Sequence, residues 1–132
     1  MRGIFLELSD GHTNQAALRN VLCAYAIRNP SLLYCQGLNY FVCFLLINNF
    51  GEEEAFWFLA TVIEDVVKPQ YFKDLSIVSM ASQIFDNLLA EVFPELALEM
   101  EENCMESSLF SIPWFVCLFT KGFINNVSQY LL

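Results

Sequence analysis

Apolar residues along this chain recur at intervals of three and four, which is the period of an amphipathic helix. One stripe of this kind predicts a helix over residues 14–28. Asn29-Pro30 ends it, because the residue before a proline avoids helical geometry. The next apolar run, from Leu38 to Ile47, is hydrophobic on nearly all sides and predicts a covered central helix over residues 36–48. The first stripe consists of Leu18, Val21, Leu22, Tyr25 and Ala26.

Three further helices are predicted after Gly51. Glu52-Glu53-Glu54 places acidic groups at the start of a helix over residues 52–66, where the helix dipole favours negative charge. The longest stripe predicts a helix over residues 75–93, followed by Pro94 as a kink or stop and by a polar loop from Glu99 to Glu106. Ser111-Ile112-Pro113 predicts the start of a helix over residues 112–121, since proline suits the first turn. The longest stripe consists of Ile77, Met80, Ala81, Ile84, Phe85, Leu88, Leu89 and Val92.

These patterns predict an all-α fold in the form of a multi-helix bundle. Residues 1–13 are rich in turn-forming residues and are expected to be irregular, whereas residues 14–132 are expected to be helical. The connection after Lys68-Pro69 contains Tyr71-Phe72, and Trp114 to Phe119 is expected to be buried. The sequence contains no strand pair with a hairpin signal and no internal repeat.

Composition excludes several classes of function. Six basic and 15 acidic residues give a net charge of −9, so we expect no nucleic-acid partner, because phosphate binding needs a basic face. No C-x-x-C pair occurs among the five cysteines, and His12 is the single histidine, so we expect no metal site. Four of the cysteines have apolar neighbours and are expected to be buried. No apolar run reaches the roughly 18 residues of a membrane span. Glu7 and Asp10 argue against a secretory signal and favour an intracellular location.

The candidate functional stretch is Tyr34-Cys35-Gln36-Gly37-Leu38-Asn39, at the mouth of the most apolar predicted helix. A glutamine there must find hydrogen-bond partners or face a ligand. Its amide neither titrates nor attacks, so Gln36 can assist a reaction only by positioning water or stabilising developing charge. Gly37 leaves room for another backbone or a phosphate, and Asn39 is expected to satisfy backbone groups near the loop.

Two other residues of this stretch have alternative interpretations. Tyr34 is expected to pack in the core or the loop rather than contact a nucleotide. Cys35 could act as a nucleophile, but His12 is distant in sequence and has no evident orienting partner. Thiol catalysis is therefore disfavoured.

Several segments, in this order, resemble the TBC domain of Rab GTPase-activating proteins. The resemblance extends over essentially the whole chain, which would correspond to about the first two-thirds of such a domain. It implies that residues 1–132 form a partial Rab-GAP TBC domain. The segments are Leu18-Arg19-Asn20-Val21-Leu22, Ala24-Tyr25-Ala26, Asn29-Pro30, Tyr34-Cys35-Gln36-Gly37-Leu38-Asn39, Glu54-Ala55-Phe56-Trp57 and Trp114-Phe115-x-x-x-Phe119.

The resemblance implies an activator that accelerates GTP hydrolysis on a bound Rab with an arginine and a glutamine supplied in trans. Guanidinium neutralises charge on the transferred phosphoryl group, and an amide can orient the attacking water. Gln36 matches the glutamine of the family's Tyr-x-Gln motif. Arg2 is the one arginine upstream of the first helix, where the family places its arginine, whereas Arg19 and Arg28 are expected to be solvated. The candidate substrate-binding residues are Tyr34, Cys35, Gly37 and Asn39.

The implied partner is a Rab-type small GTPase, which would bring its own GTP and Mg²⁺, so the chain would need no cofactor of its own. A role in vesicle trafficking and a cytoplasmic location, with peripheral contact to endomembranes through the partner, follow as expectations. The Ile-x-x-Asp part of the family's arginine motif has no counterpart before Arg2. A non-catalytic helical module that docks a small GTPase or another protein therefore stays open as an alternative.

Overall fold

The computed structural model describes residues 11–32 and 35–122, apart from the side chains of residues 11–14. Within these ranges the chain is predominantly helical and contains no strand, so the predicted all-α fold is confirmed. We also find no described helix with the length and hydrophobicity that a membrane crossing requires. The helices are α1 (Gly11–Arg28), α2 (Leu38–Ile47), α3 (Glu52–Thr61), a π-helix (Val62–Val67), α4 (Pro69–Lys73), α5 (Leu75–Val92), α6 (Pro94–Glu102) and α7 (Ser108–Val116).

The hydrophobic core lies where α1, α2 and α3 pack against one another. Val42 of α2 and Leu59 of α3 are fully enclosed there. No residue of α2 is exposed, and its apolar side chains are buried or partly buried against the same core. The predicted central position of this helix is therefore confirmed. The core residues are Leu18, Val21, Tyr25, Leu32, Leu38, Phe41, Val42, Cys43, Leu45, Ala55, Leu59, Ala60, Ile63 and Phe72.

The helix predicted over residues 52–66 is divided in two. It begins as expected at Glu52, where the Gly51 N–H donates to the Glu54 carboxylate at 2.9 Å. The α-helical hydrogen bonding changes after Thr61 into a π-helical turn that ends before Lys68. Lys68 has a φ of 75°, which a right-handed helix does not accommodate. The π-helix therefore ends before Lys68, and α4 begins after it.

Two short helices replace segments that were predicted as connections. Tyr71 and Phe72 lie in α4, and Pro94 starts α6 instead of leading into a loop. Proline fits the first turn of each helix, because an N–H is not needed there. The predicted acidic loop is consequently helical as far as Glu102.

The helix predicted over residues 112–121 begins earlier and ends earlier than expected. α7 starts at Ser108 and contains Pro113 in its interior rather than at its start. It ends at Val116, because Leu118 and Phe119 have φ values of 48° and 62°. The expectation that Trp114 to Phe119 is buried holds for Cys117 and is wrong for Trp114 and Phe119, which are exposed.

The apolar stripe predicted for α5 is only partly covered. α5 packs on α7, where the Phe85 ring of the stripe contacts the rings of Phe110, Trp114 and Phe115. The Ser82 hydroxyl lies 2.7 Å from that of Ser111 in a buried hydrogen bond. Another row of the stripe is exposed, so the prediction of a single covered inner face is only partly confirmed. The exposed row consists of Met80, Ile84, Leu88 and Val92.

The five cysteines differ in burial from what their apolar neighbours predicted. Cys43 and Cys117 are buried, Cys35 is partly buried, and Cys23 and Cys104 are exposed. The expectation of four buried cysteines is therefore wrong. In a helix, sequence neighbours point in different directions, so an apolar context does not determine burial.

Candidate functional site

Gln36 lies in the tight turn that leads into α2. The turn is closed by two backbone hydrogen bonds, from the Leu38 N–H to the Cys35 carbonyl at 3.3 Å and from the Tyr40 N–H to the Gly37 carbonyl at 3.0 Å. The Gln36 side chain is exposed, and its amide has no hydrogen-bond partner among the described residues. An amide in this position can donate to and accept from a bound molecule without first breaking a hydrogen bond to another described residue.

Gly37 is buried against the end of α7. A Cβ at this position would stand 2.6 Å from the Val116 carbonyl oxygen and 2.8 Å from the Val116 Cγ1. The backbone at Gly37 has a φ of 120°, which side-chain-bearing residues rarely adopt. Of the two neighbours that the sequence left open, a backbone or a phosphate, the described structure places a backbone here.

Asn39 stabilises the same turn. Its side-chain oxygen accepts a hydrogen bond from the Gly37 N–H at 3.2 Å. This bond satisfies a backbone donor at the start of α2, so the expected structural role of Asn39 is confirmed. Gln36 is thus presented on a turn held by hydrogen bonds on one side and by α7 on the other.

A cleft of about 530 Å³ opens beside Gln36. Its walls come from the Gln36 turn, from α2, from α4 and the start of α5, and from α7 with the residues that follow it. Much of the lining is apolar, and Gln36, Tyr40, Lys73 and Lys121 are among its polar members. The lining residues are Leu32, Cys35, Gln36, Tyr40, Phe72, Lys73, Leu75, Ile112, Pro113, Val116, Cys117 and Lys121.

Two lysines in this cleft were not identified from the sequence. The Lys121 ammonium lies 5.7 Å from the centroid of the Tyr40 ring, within the range of a cation–π contact. Lys73 donates to the Ser31 hydroxyl at 3.0 Å. The only sequence signal for Lys73 and Lys121 was the scarcity of basic residues in an acidic chain. That scarcity could not show that the two lysines line the same cleft as Gln36.

The thiols of the cleft are not activated. Burial raises the pKa of Cys35 and, as the largest effect, that of Cys117. Burial likewise raises the pKa of the Tyr71 hydroxyl, with a smaller contribution from the Cys35 charge. A raised pKa leaves less thiolate near neutral pH, so the arrangement gives no support to the nucleophilic interpretation of Cys35.

The structure brings four of the predicted site residues together, namely Cys35, Gln36, Gly37 and Asn39. Gln36 is the exposed member, whereas Gly37 is buried and the other two are partly buried. Tyr34 and Arg2 lie outside the described residues. In the described part of the chain, no cluster of His, Cys, Asp and Glu side chains is arranged to hold a metal ion.

Comparisons with known proteins identify the family. A sequence model described as the Rab-GTPase-TBC domain matches residues 4–128. The chain is 35% identical over 112 residues to TBC domain-containing protein C4G8.04 of Schizosaccharomyces pombe. It is 32% identical over 111 residues to TBC1 domain family member 2A of Mus musculus and 33% identical over 111 residues to member 2B of Homo sapiens.

These alignments cover 84%, 83% and 83% of this chain, respectively. They span only 14%, 12% and 11% of the three relatives' own lengths. No solved structure gives a significant match.

Proposed function

This chain belongs to the Rab-GTPase-TBC domain family, and on that premise we propose that it binds a Rab-type small GTPase and stimulates hydrolysis of the bound GTP. The observation that carries the proposal is the exposed Gln36 amide, which has no partner among the described residues and stands at the mouth of a cleft. An exposed glutamine on a turn that is held by hydrogen bonds can contact the active site of another protein with little rearrangement.

The proposed chemistry follows from the two ends of the amide. The carbonyl oxygen of Gln36 accepts a hydrogen bond from the attacking water, and the NH₂ donates to an oxygen of the γ-phosphate. Both contacts become stronger as charge develops in the transition state, so they lower the barrier more than they increase affinity. Gly37 and Asn39 contribute by fixing the turn on which the amide is carried.

Arg2 is the proposed source of the second group, a guanidinium that neutralises charge on the transferred phosphoryl group. Tyr34 and Cys35 are proposed to contact the GTPase beside Gln36. GTP and Mg²⁺ belong to the partner in this scheme, and the chain itself needs no cofactor. We place the protein in the cytoplasm and on endomembranes through its GTPase, where it would act in vesicle trafficking.

The proposal is tested with a panel of purified Rab GTPases loaded with GTP. Phosphate release is measured under single-turnover conditions with and without the chain, and binding of each Rab is measured in parallel. We expect at least one Rab to be bound and its hydrolysis to be accelerated, and Arg2→Ala to reduce that acceleration. Binding without acceleration would replace this proposal with the non-catalytic binding module, and absence of both would refute the two together.

A further inference from the structure

The cleft beside Gln36 has the opposite charge to the chain as a whole. The chain carries a net charge of −9, yet the described residues that line the cleft include Lys73 and Lys121 and no aspartate or glutamate. Neither ammonium has a carboxylate within ion-pair distance among the described residues, where Arg28 and Glu64 form the sole salt bridge. Two cations without a carboxylate partner among the described residues therefore line one open cleft, and such a site attracts an anion.

Neutral neighbours hold both lysines at the cleft without neutralising them. The Tyr40 ring lies beneath the Lys121 ammonium, and the Ser31 hydroxyl accepts one hydrogen bond from Lys73. An ammonium has three N–H donors, so Lys73 keeps donors for a ligand, and a ring-face contact leaves those of Lys121 free. The positive charges are thus positioned in advance, which reduces the entropy lost when an anion binds.

We propose that Lys73 and Lys121 bind the γ-phosphate of the GTP carried by the docked GTPase. This inference rests on the proposed function, because Gln36 positions the attacking water only when the γ-phosphate lies at the mouth of this cleft. The lysines share that cleft with Gln36, so an anion held beside the Gln36 amide would also meet their positive charge. The γ-phosphate is present in the GTP form and absent from the GDP form, so the two lysines would make binding selective for GTP.

The test compares Lys73→Gln, Lys121→Gln and the double variant with the unmodified chain. Dissociation constants are measured for a responsive Rab loaded with GDP or with a non-hydrolysable GTP analogue. For the GTP-analogue form we expect each substitution to weaken binding by about two- to fivefold, as for a partly exposed ion pair. We expect little change for the GDP form, and the salt dependence of GTP-form binding should decrease.

Two further variants serve as controls. Lys68→Gln removes a lysine that lies outside the cleft and donates to the Glu64 backbone carbonyl at 3.3 Å, and it should leave both dissociation constants unchanged. Lys121→Arg keeps the positive charge and the contact with Tyr40, so it should retain GTP selectivity. Helical circular dichroism of each variant verifies that the fold is intact.

Three outcomes would overturn the inference. Equal weakening of the GDP and GTP forms would assign the lysines to carboxylates on the GTPase surface instead. Unchanged binding in the lysine variants, with stimulation still dependent on Gln36, would refute the lysine assignment and leave the proposed function standing. If no Rab binds the unmodified chain, the inference fails together with the proposed function.

Discussion

Gly37 and Val116 lie in direct backbone contact, so that α7 packs against the turn that carries Gln36. A methyl group at Gly37 would come within 2.6 Å of the Val116 carbonyl oxygen. This contact joins the beginning of the central helix to a helix from the far end of the described chain. The position of the Gln36 amide therefore depends on tertiary packing as well as on the local turn.

Substitution of Gly37 should disturb this contact. Gly37→Ala introduces a Cβ into occupied space at a φ of 120°, so we expect the free energy of unfolding to fall by roughly 1–3 kcal/mol. Chemical denaturation monitored by circular dichroism measures the change. Gly122→Ala is the matched control, because no contact within 4 Å of its added Cβ is found among the described residues. Equal stability of the two variants would contradict the close approach of α7.

Core packing is tested by a pair of identical substitutions. Leu45 is 3% exposed in α2 and Leu98 is 60% exposed in α6. Leu45→Ala should lower the free energy of unfolding by roughly 2–5 kcal/mol, because it leaves a cavity. Leu98→Ala should have a much smaller effect, since its side chain is already largely in water. Similar losses for both variants would be inconsistent with α2 as the centre of the core.

The cysteines should react with iodoacetamide in an order set by their environments. We expect the exposed Cys23 and Cys104 to be alkylated first and the buried Cys43 and Cys117 last. Cys35 should react slowly at neutral pH and faster as the pH rises, because burial raises the pKa of its thiol. Peptide mass spectrometry over a time course gives the rates. Fastest alkylation of Cys35 at neutral pH would instead indicate an activated thiol.

The Arg28–Glu64 pair should make stability depend on pH. The Arg28 guanidinium donates two hydrogen bonds of 3.0 Å to the Glu64 carboxylate and thereby lowers the pKa of that carboxyl group. A lowered folded-state pKa contributes stability above the ordinary glutamate pKa, and this stability is lost as the pH falls through the folded-state value.

Glu64→Gln should therefore unfold at a lower denaturant concentration than the unmodified chain at pH 7. The difference should close as the pH falls below the ordinary glutamate range. Denaturation midpoints at several pH values measure this, with Glu91→Gln as a control that removes an exposed carboxylate without an ion pair among the described residues. A difference that persists at low pH would show that Glu64 acts through packing rather than through charge.

The sequence predicts the helices well where burial and periodicity agree. α1, α2 and the start of α3 follow from apolar spacing and from the acidic residues at Glu52, because these signals are local. For α5 the same spacing predicts a covered stripe of which only part is covered. Phe85 of the stripe contacts α7, but Ile84 and Leu88 are exposed, whereas Ser82 outside the stripe is buried. Periodicity shows that a helix has an apolar side without showing which part of it a neighbour covers.

The same distinction applies to the site. The candidate position of Gln36 and the hydrogen-bonding role of Asn39 could be predicted from the sequence, because both residues lie within one short turn. The contact of Val116 with Gly37 and the presence of Lys73 and Lys121 in one cleft depend on segments that are distant in the chain, and no local pattern encodes them. Arg28 likewise resembles a solvated helix end in the sequence, yet it pairs with Glu64 of the π-helix and lies 5.3 Å from the Trp57 ring centroid.

The most direct test of the central claim is single-turnover phosphate release from a responsive GTP-loaded Rab with the unmodified chain, Gln36→Ala and Gln83→Ala. Gln83 is an exposed glutamine on α5 that does not line the cleft, so it controls for the loss of a surface amide. We predict that Gln36→Ala lowers the maximal rate by on the order of 10²–10³ with little change in Rab affinity, and that Gln83→Ala stimulates normally. Equal stimulation by Gln36→Ala and the unmodified chain would contradict the assignment of Gln36.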